Sequence, residues 1–178
     1  WTVPSPGTLA IFCEDRYYGG GQSVEQHEAY VNALAQAVKE EYELIAATGM
    51  QLQVDCPDLA MGRHTRFMHL TDKEFDSINA ANVAALNYAL ANVPEEQVRV
   101  HICWGNYAGP HHLDLAARSV WPHIGKIHCK YVLMEGANPR HGHDIAAFEQ
   151  AVSAGHFDTN KMVIVPGVID TTAARVEH

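Results

Sequence analysis

His101-Ile102-Cys103 sets an imidazole and a thiol two residues apart. On a β-strand, residues i and i+2 point to one face, so the two side chains can share a metal ion. Glu135 ends a second apolar run, and Asp55 ends a third. A histidine, a cysteine and a carboxylate form a zinc-type donor set that leaves a coordination position for a substrate. The expected metal ligands are therefore His101, Cys103 and Glu135, with Asp55 available to a substrate amine or other cation. Plainer readings stand beside these. His101 can be a hydrogen-bonded core histidine next to an apolar cysteine. Glu135 can cap a helix or pair within a loop, and Asp55 can pair with Arg63 or Arg66.

The remaining cysteines read differently. Cys56 has the opposite strand parity from Asp55 and is expected to face a helix. Cys129 begins its strand and should be a packing residue. Cys13 ends the first apolar run and reads as structural. Histidine is abundant, with 12 residues in 178. His64, His111, His112, His141 and His143 fall in loops at the functional end, where solvated roles are expected. The Tyr17-Tyr18-Gly19-Gly20-Gly21 loop lacks the spacing of a phosphate cradle, so its glycines are read as supplying flexibility.

These residues need a scaffold, and the chain alternates short apolar runs with helical patterns. Strands are expected over Gly7–Cys13, Met50–Asp55, Val98–Cys103, Cys129–Glu135 and Lys161–Pro166, with a loop over Arg16–Gly21. Ser23 and Gln26 form a capping box ahead of a helix carrying Tyr30, Leu34, Val38, Tyr42 and Ile45, which stops at Gly49. Asp58–Leu70 reads as a long loop. Thr71 and Glu74 cap a helix with Phe75, Ile78, Leu86 and Leu90. Leu113–Trp121 is a further helix, and Asp144 caps one carrying Ile145, Phe148 and Val152.

Strands alternating with helices predict an α/β fold with a parallel sheet, in one domain over residues 1–178. An open doubly wound sheet and part of a (β/α)₈ barrel both fit the order. The odd positions of two runs are Gln51, Gln53, Asp55 and Arg99, His101, Cys103, while the even positions are apolar. A partial TIM barrel explains such one-sided strands better than a sheet covered on both faces. A complete barrel needs about 200–250 residues, more than this chain offers.

Composition narrows the functions. Twelve Lys plus Arg stand against 21 Asp plus Glu, a net charge of −9 with neutral histidines, which disfavours nucleic acid as a partner. Nothing approaches the length of a membrane span. Four cysteines without C-x-x-C spacing point to a reducing, cytoplasmic setting.

The ordered set of motifs resembles the catalytic barrel of the cobalamin-independent methionine synthases and their relatives. Pro4-Ser5-Pro6-Gly7-Thr8-Leu9 is similar to that family's third barrel strand, and Gln51-Leu52-Gln53-Val54-Asp55-x-Pro57 to its fourth. His101-x-Cys103 matches the fifth, Glu135 the sixth, and Pro166-Gly167-Val168-x-Asp170 the seventh. The resemblance implies a fragment covering about strands three to seven. It also implies zinc at His101, Cys103 and Glu135, a further cysteine ligand beyond His178, and Asp55 as the holder of the thiol substrate. Asp170 would position the electrophile or a proton.

The implied activity is zinc-dependent alkyl or methyl transfer to a small thiol, homocysteine-like or coenzyme M-like. Met61 and Thr172 replace an acid and a histidine of the synthases, which argues against methyltetrahydrofolate as donor. Trp104-Gly105-Asn106 is closer to the epoxyalkane:coenzyme M transferases, which add a thiol to an epoxide. A metal-free decarboxylase on a related barrel and a catalytically incomplete zinc-binding module are the other readings. By this resemblance the chain alone should be inactive and should associate, with a second copy or with a partner supplying strands.

Overall fold

A computed structural model of the chain describes residues 1–20, 23–107, 110–139, 142–170 and 173. Five strands form one all-parallel sheet in the order β1-β2-β3-β4-β5. They are β1 (Thr2–Pro4), β2 (Leu52–Asp55), β3 (Val98–Ile102), β4 (Tyr131–Glu135) and β5 (Val163–Gly167). Helices α1 (Pro6–Phe12) and α2 (Val24–Ala47) connect β1 to β2. Helices α3 (Asp72–Ala89), α4 (Ala117–Ile124) and α5 (Asp144–Ser153) make the next three crossovers. The strand order never reverses, so the sheet lacks the switch point of a doubly wound fold. It has the sequential order of a barrel segment.

The expected strand over Gly7–Cys13 is instead α1. Ser5 caps it, with its hydroxyl accepting from the Thr8 N–H at 2.9 Å, and Pro6 supplies the preset φ of a first helical position. A short apolar run fits either a strand or a helix, and here the cap decides. The first strand lies just upstream, where the Tyr42 hydroxyl donates to the Pro4 carbonyl at 2.7 Å.

Both capping boxes are present, at Ser23–Gln26 and Thr71–Glu74. The buried stripe of α2 is His27, Val31, Ala35, Val38 and Tyr42; Val38 and Tyr42 are buried as expected, whereas Tyr30, Leu34 and Ile45 are only half-buried at its edge. On α3, Phe75, Ile78 and Leu86 are buried as expected. The expected loop over Asp58–Leu70 contains two short 3-10 segments, Pro57–Leu59 and Met61–His64.

Helix α4 starts later than Leu113. The Trp104 indole donates to the Leu115 carbonyl at 2.7 Å, and Ala116 is extended, which delays helix entry. His143, not Asp144, occupies the N-cap of α5, with Asp144 in the first turn.

The core lies between the sheet and its helices. Leu52, Val54, Val98, Val100, Ile102 and Val132 have no exposed surface and all lie on one parity. The other parity is only half-buried, including Gln53, Asp55, Arg99, His101, Tyr131 and Leu133. One face of the sheet thus meets helices and the other is open. Among the described residues no helix is long and apolar enough to cross a membrane.

Candidate functional site

The register assembles the site. Asp55 pairs with His101 across β2 and β3, and His101 pairs with Leu133 across β3 and β4. Cys103 stands two residues past His101 and Glu135 two past Leu133, so both point to the open face in the next layer. Glu135 in turn pairs with Gly167 of β5, three residues before Asp170. All these groups sit at the carboxyl ends of parallel strands, where α/β proteins build their sites.

A cavity of about 240 Å³ is lined by His101, Cys103, Asn106, Glu135, Asn138 and Asp170. Asp55 stands at its side, with Oδ1 3.8 Å from His101 Nε2 and its side chain 40% exposed. The Arg pairing considered for Asp55 does not occur. Arg63 bonds Asp72 at 3.1 Å, and Arg66 donates to the Gly20 carbonyl at 2.8 Å. Glu135 Oε2 accepts from the Asn138 amide at 3.1 Å. Asn138 was not anticipated; its only sequence signal is its place three residues after a strand-ending carboxylate.

Burial, with the carboxylates Asp55, Glu135 and Asp58 adding to it, pushes the Cys103 thiol up to about 11, against a hydrogen bond from the Gly105 backbone. A thiol in such a setting stays protonated at neutral pH unless a cation joins it. The donor types are ones zinc takes: an imidazole, a thiol that needs a positive partner, and a carboxylate on one cavity wall. Among the described residues, no group of three or more His, Cys, Asp or Glu forms a ready-made metal site.

Cys56 and Cys129 behave as expected, and Cys13 does not. Cys56 is fully buried on the helix side, and Cys129 is buried ahead of β4 at the far end of the sheet, its thiol pushed up to about 12 by burial. Cys13 is exposed and follows α1 rather than ending a strand.

Two loop histidines are less solvated than expected. His111 Nδ1 lies 2.6 Å from Asp114 Oδ2, and His64 Nδ1 lies 3.4 Å from Asp114 Oδ1. They border a second cavity of about 450 Å³ that also includes Met61 and Trp104 and shares Gly105 and Asn106 with the first. His112 and His143 are exposed, whereas Thr172 and His141 lie outside the described residues.

The glycine loop is organised rather than loose. The Asp15 carboxylate is buried and accepts from the N–H groups of Tyr17, Tyr18 and Gly20 at 2.8–2.9 Å.

No family model, curated protein or solved structure matches the chain.

Proposed function

We propose that this chain carries the zinc and thiol half of an alkyl- or methyltransferase site, of the kind seen in cobalamin-independent methionine synthase-like enzymes. The observation that carries the reading is the register that sets Cys103 and Glu135 in one layer, beside His101, in one cavity. His101, Cys103 and Glu135 would hold the zinc, with a fourth donor supplied from beyond this set. Zinc bound there would keep a substrate thiol ionised at neutral pH, where a free thiol with a pKa of about 8.5 is mostly protonated.

The chain's own residues then divide the remaining work. Asp55, half-buried beside His101, binds the substrate amine and turns the sulfur toward the cavity. The Asn138 amide fixes the Glu135 carboxylate. The second cavity, reached past Gly105 and Asn106, receives the electrophile. In the reaction a carbon–sulfur bond forms, the carbon–leaving-group bond breaks, and the leaving group takes a proton, which is the role we give to Asp170 in the cavity lining.

Met61 lies in the wall of the second cavity. A thioether cannot protonate a departing amine, and a positioned acid is typically worth about 10²–10⁴ in rate. An epoxide, which opens by strain, or another activated alkyl donor suits this wall better than methyltetrahydrofolate. The test is thiol alkylation by the full-length protein with zinc, using an epoxide and methyltetrahydrofolate in parallel. Product from the epoxide alone fits this reading. Rapid folate turnover returns the assignment to methionine synthesis, and pure protein that holds no zinc and alkylates thiol with neither donor favours the decarboxylase reading.

A further inference from the structure

Behind Asp55 lies a polar cluster that no step above uses. Asp58 is buried, with 1% of its surface exposed. Its Oδ1 accepts from the Ser5 hydroxyl at 2.6 Å, and its Oδ2 accepts from the Asn82 amide at 3.0 Å. The Thr8 hydroxyl lies 2.9 Å from Asp58 Oδ1 and 2.9 Å from the Asp55 carbonyl, bridging the two. The Ser5 N–H also donates to the Asp55 carbonyl, at 2.9 Å.

The approach is close enough to fix a residue type. A Cβ at Gly7 would overlap Asp58 Oδ2 and the Asn82 amide, so only glycine lets α1 seat against the carboxylate. Helix packing alone does not require this arrangement. An apolar residue in place of Asp58 would fill the space without its desolvation cost. What the cluster holds is one peptide group, the carbonyl of the residue facing the site. The following Cys56 N–H donates to the His101 carbonyl at 2.8 Å, so that peptide is also tied to the strand carrying the metal-ligand histidine.

We propose that Asp58 is a positioning residue for Asp55. It orients the Ser5 and Thr8 side chains, the Thr8 hydroxyl and the Ser5 backbone N–H grip the Asp55 carbonyl, and the grip aims the Asp55 carboxylate at the substrate amine. The inference rests on the reading of Asp55 as the amine holder. Its consequence is selective: loss of the grip should weaken amino-thiols and spare thiols without an amine.

The test uses the full chain with zinc added and two probes, homocysteine and 4-mercaptobutyrate, which differ by the amino group. Dissociation constants come from calorimetry on wild type, Thr8→Val, Thr8→Ser and Asp55→Ala. The expected result is a roughly tenfold weaker homocysteine complex in Thr8→Val, the size of one lost hydrogen bond. 4-Mercaptobutyrate should be unchanged, and Thr8→Ser should restore the wild-type value. If Asp55→Ala removes the preference for homocysteine while Thr8→Val keeps it, the positioning role is wrong and the role of Asp55 stands.

If wild type and Asp55→Ala show the same preference, or none, the reading of Asp55 fails by itself. Amide exchange of Ser5 then decides whether the grip exists. Exchange about tenfold faster in Thr8→Val supports it, and unchanged exchange overturns it.

Discussion

Strand β3 shows two surfaces within five residues. Toward the helices, Val98, Val100 and Ile102 are wholly buried. Toward the open side, Arg99 and His101 are half-buried, and Cys103 follows on the same parity. Burial of branched apolar side chains accounts for the first surface, at roughly 1.5–3 kcal/mol per residue. No such gain accounts for an arginine, a histidine and a thiol in a row. The difference separates the residues that make the fold from those to which the proposed function gives the work.

The sharpest way to break that comparison is to exchange the chemistry of the faces. Val100→Asp sets an unpaired carboxylate among helices and should cost about 4–5 kcal/mol or more, leaving the chain largely unfolded by circular dichroism. His101→Ala, one residue away on the open face, should cost under about 1 kcal/mol in a urea titration. Equal losses would mean that the open face is covered and that the division is false.

A subtler contrast separates two carboxylates at the end of β2. Asp55 is open, whereas burial pushes Asp58 up to about 6 from an ordinary 3.8, against the hydrogen bonds that favour its charge. A raised carboxyl binds more protons folded than unfolded. Its contribution is therefore full below about pH 3.8 and is lost as pH rises through about 6. Asp58→Asn removes that slope. Its stability relative to wild type should rise by up to roughly 3 kcal/mol between pH 4 and pH 8. His27, bonded to Asn82 behind this cluster and held low by burial, has the opposite slope and remains in both proteins. A difference between the two proteins that does not change with pH would show that Asp58 titrates normally.

The smallest expected effect belongs to Cys129. It is as well buried as any core residue but sits at the amino end of β4. Cys129→Ala should cost about 1 kcal/mol of stability, by loss of one packed sulfur, and leave zinc binding at its wild-type level. Loss of zinc there would invert the orientation of the sheet.

Much of this arrangement is legible in the sequence because parity on a strand is strict. Gln53-Val54-Asp55 and Arg99-Val100-His101 already show which side chains share a face, and the two capping boxes mark where helices begin. What escapes is decided by contacts between distant segments. The segment from Gly7 to Cys13 reads as a strand because its apolar run is short, and the Ser5 cap with Pro6 behind it makes most of it helix. The Leu113–Ala116 stretch reads as helix until the Trp104 indole takes the Leu115 carbonyl. Asn138 and Asp114 have partners three residues away, at Glu135 and His111, but a spacing of three between polar residues in a loop is no pattern by itself. Asp58 gains Ser5 and Thr8 only through the fold, from about 50 residues away.

The central claim is that Cys103 serves as a zinc ligand together with His101 and Glu135. Cobalt titration of the full chain tests it most directly, because cobalt bound by thiolate gives a charge-transfer absorption that other ligands do not. The account predicts that this absorption appears in wild type and in Cys129→Ala, with protons released as the half-buried Cys103 thiol ionises. It predicts that Cys103→Ser loses the absorption and binds zinc at least about 100-fold more weakly, since a neutral hydroxyl replaces a thiolate. Equal zinc affinity in wild type and Cys103→Ser, with no thiolate absorption in either, would contradict it.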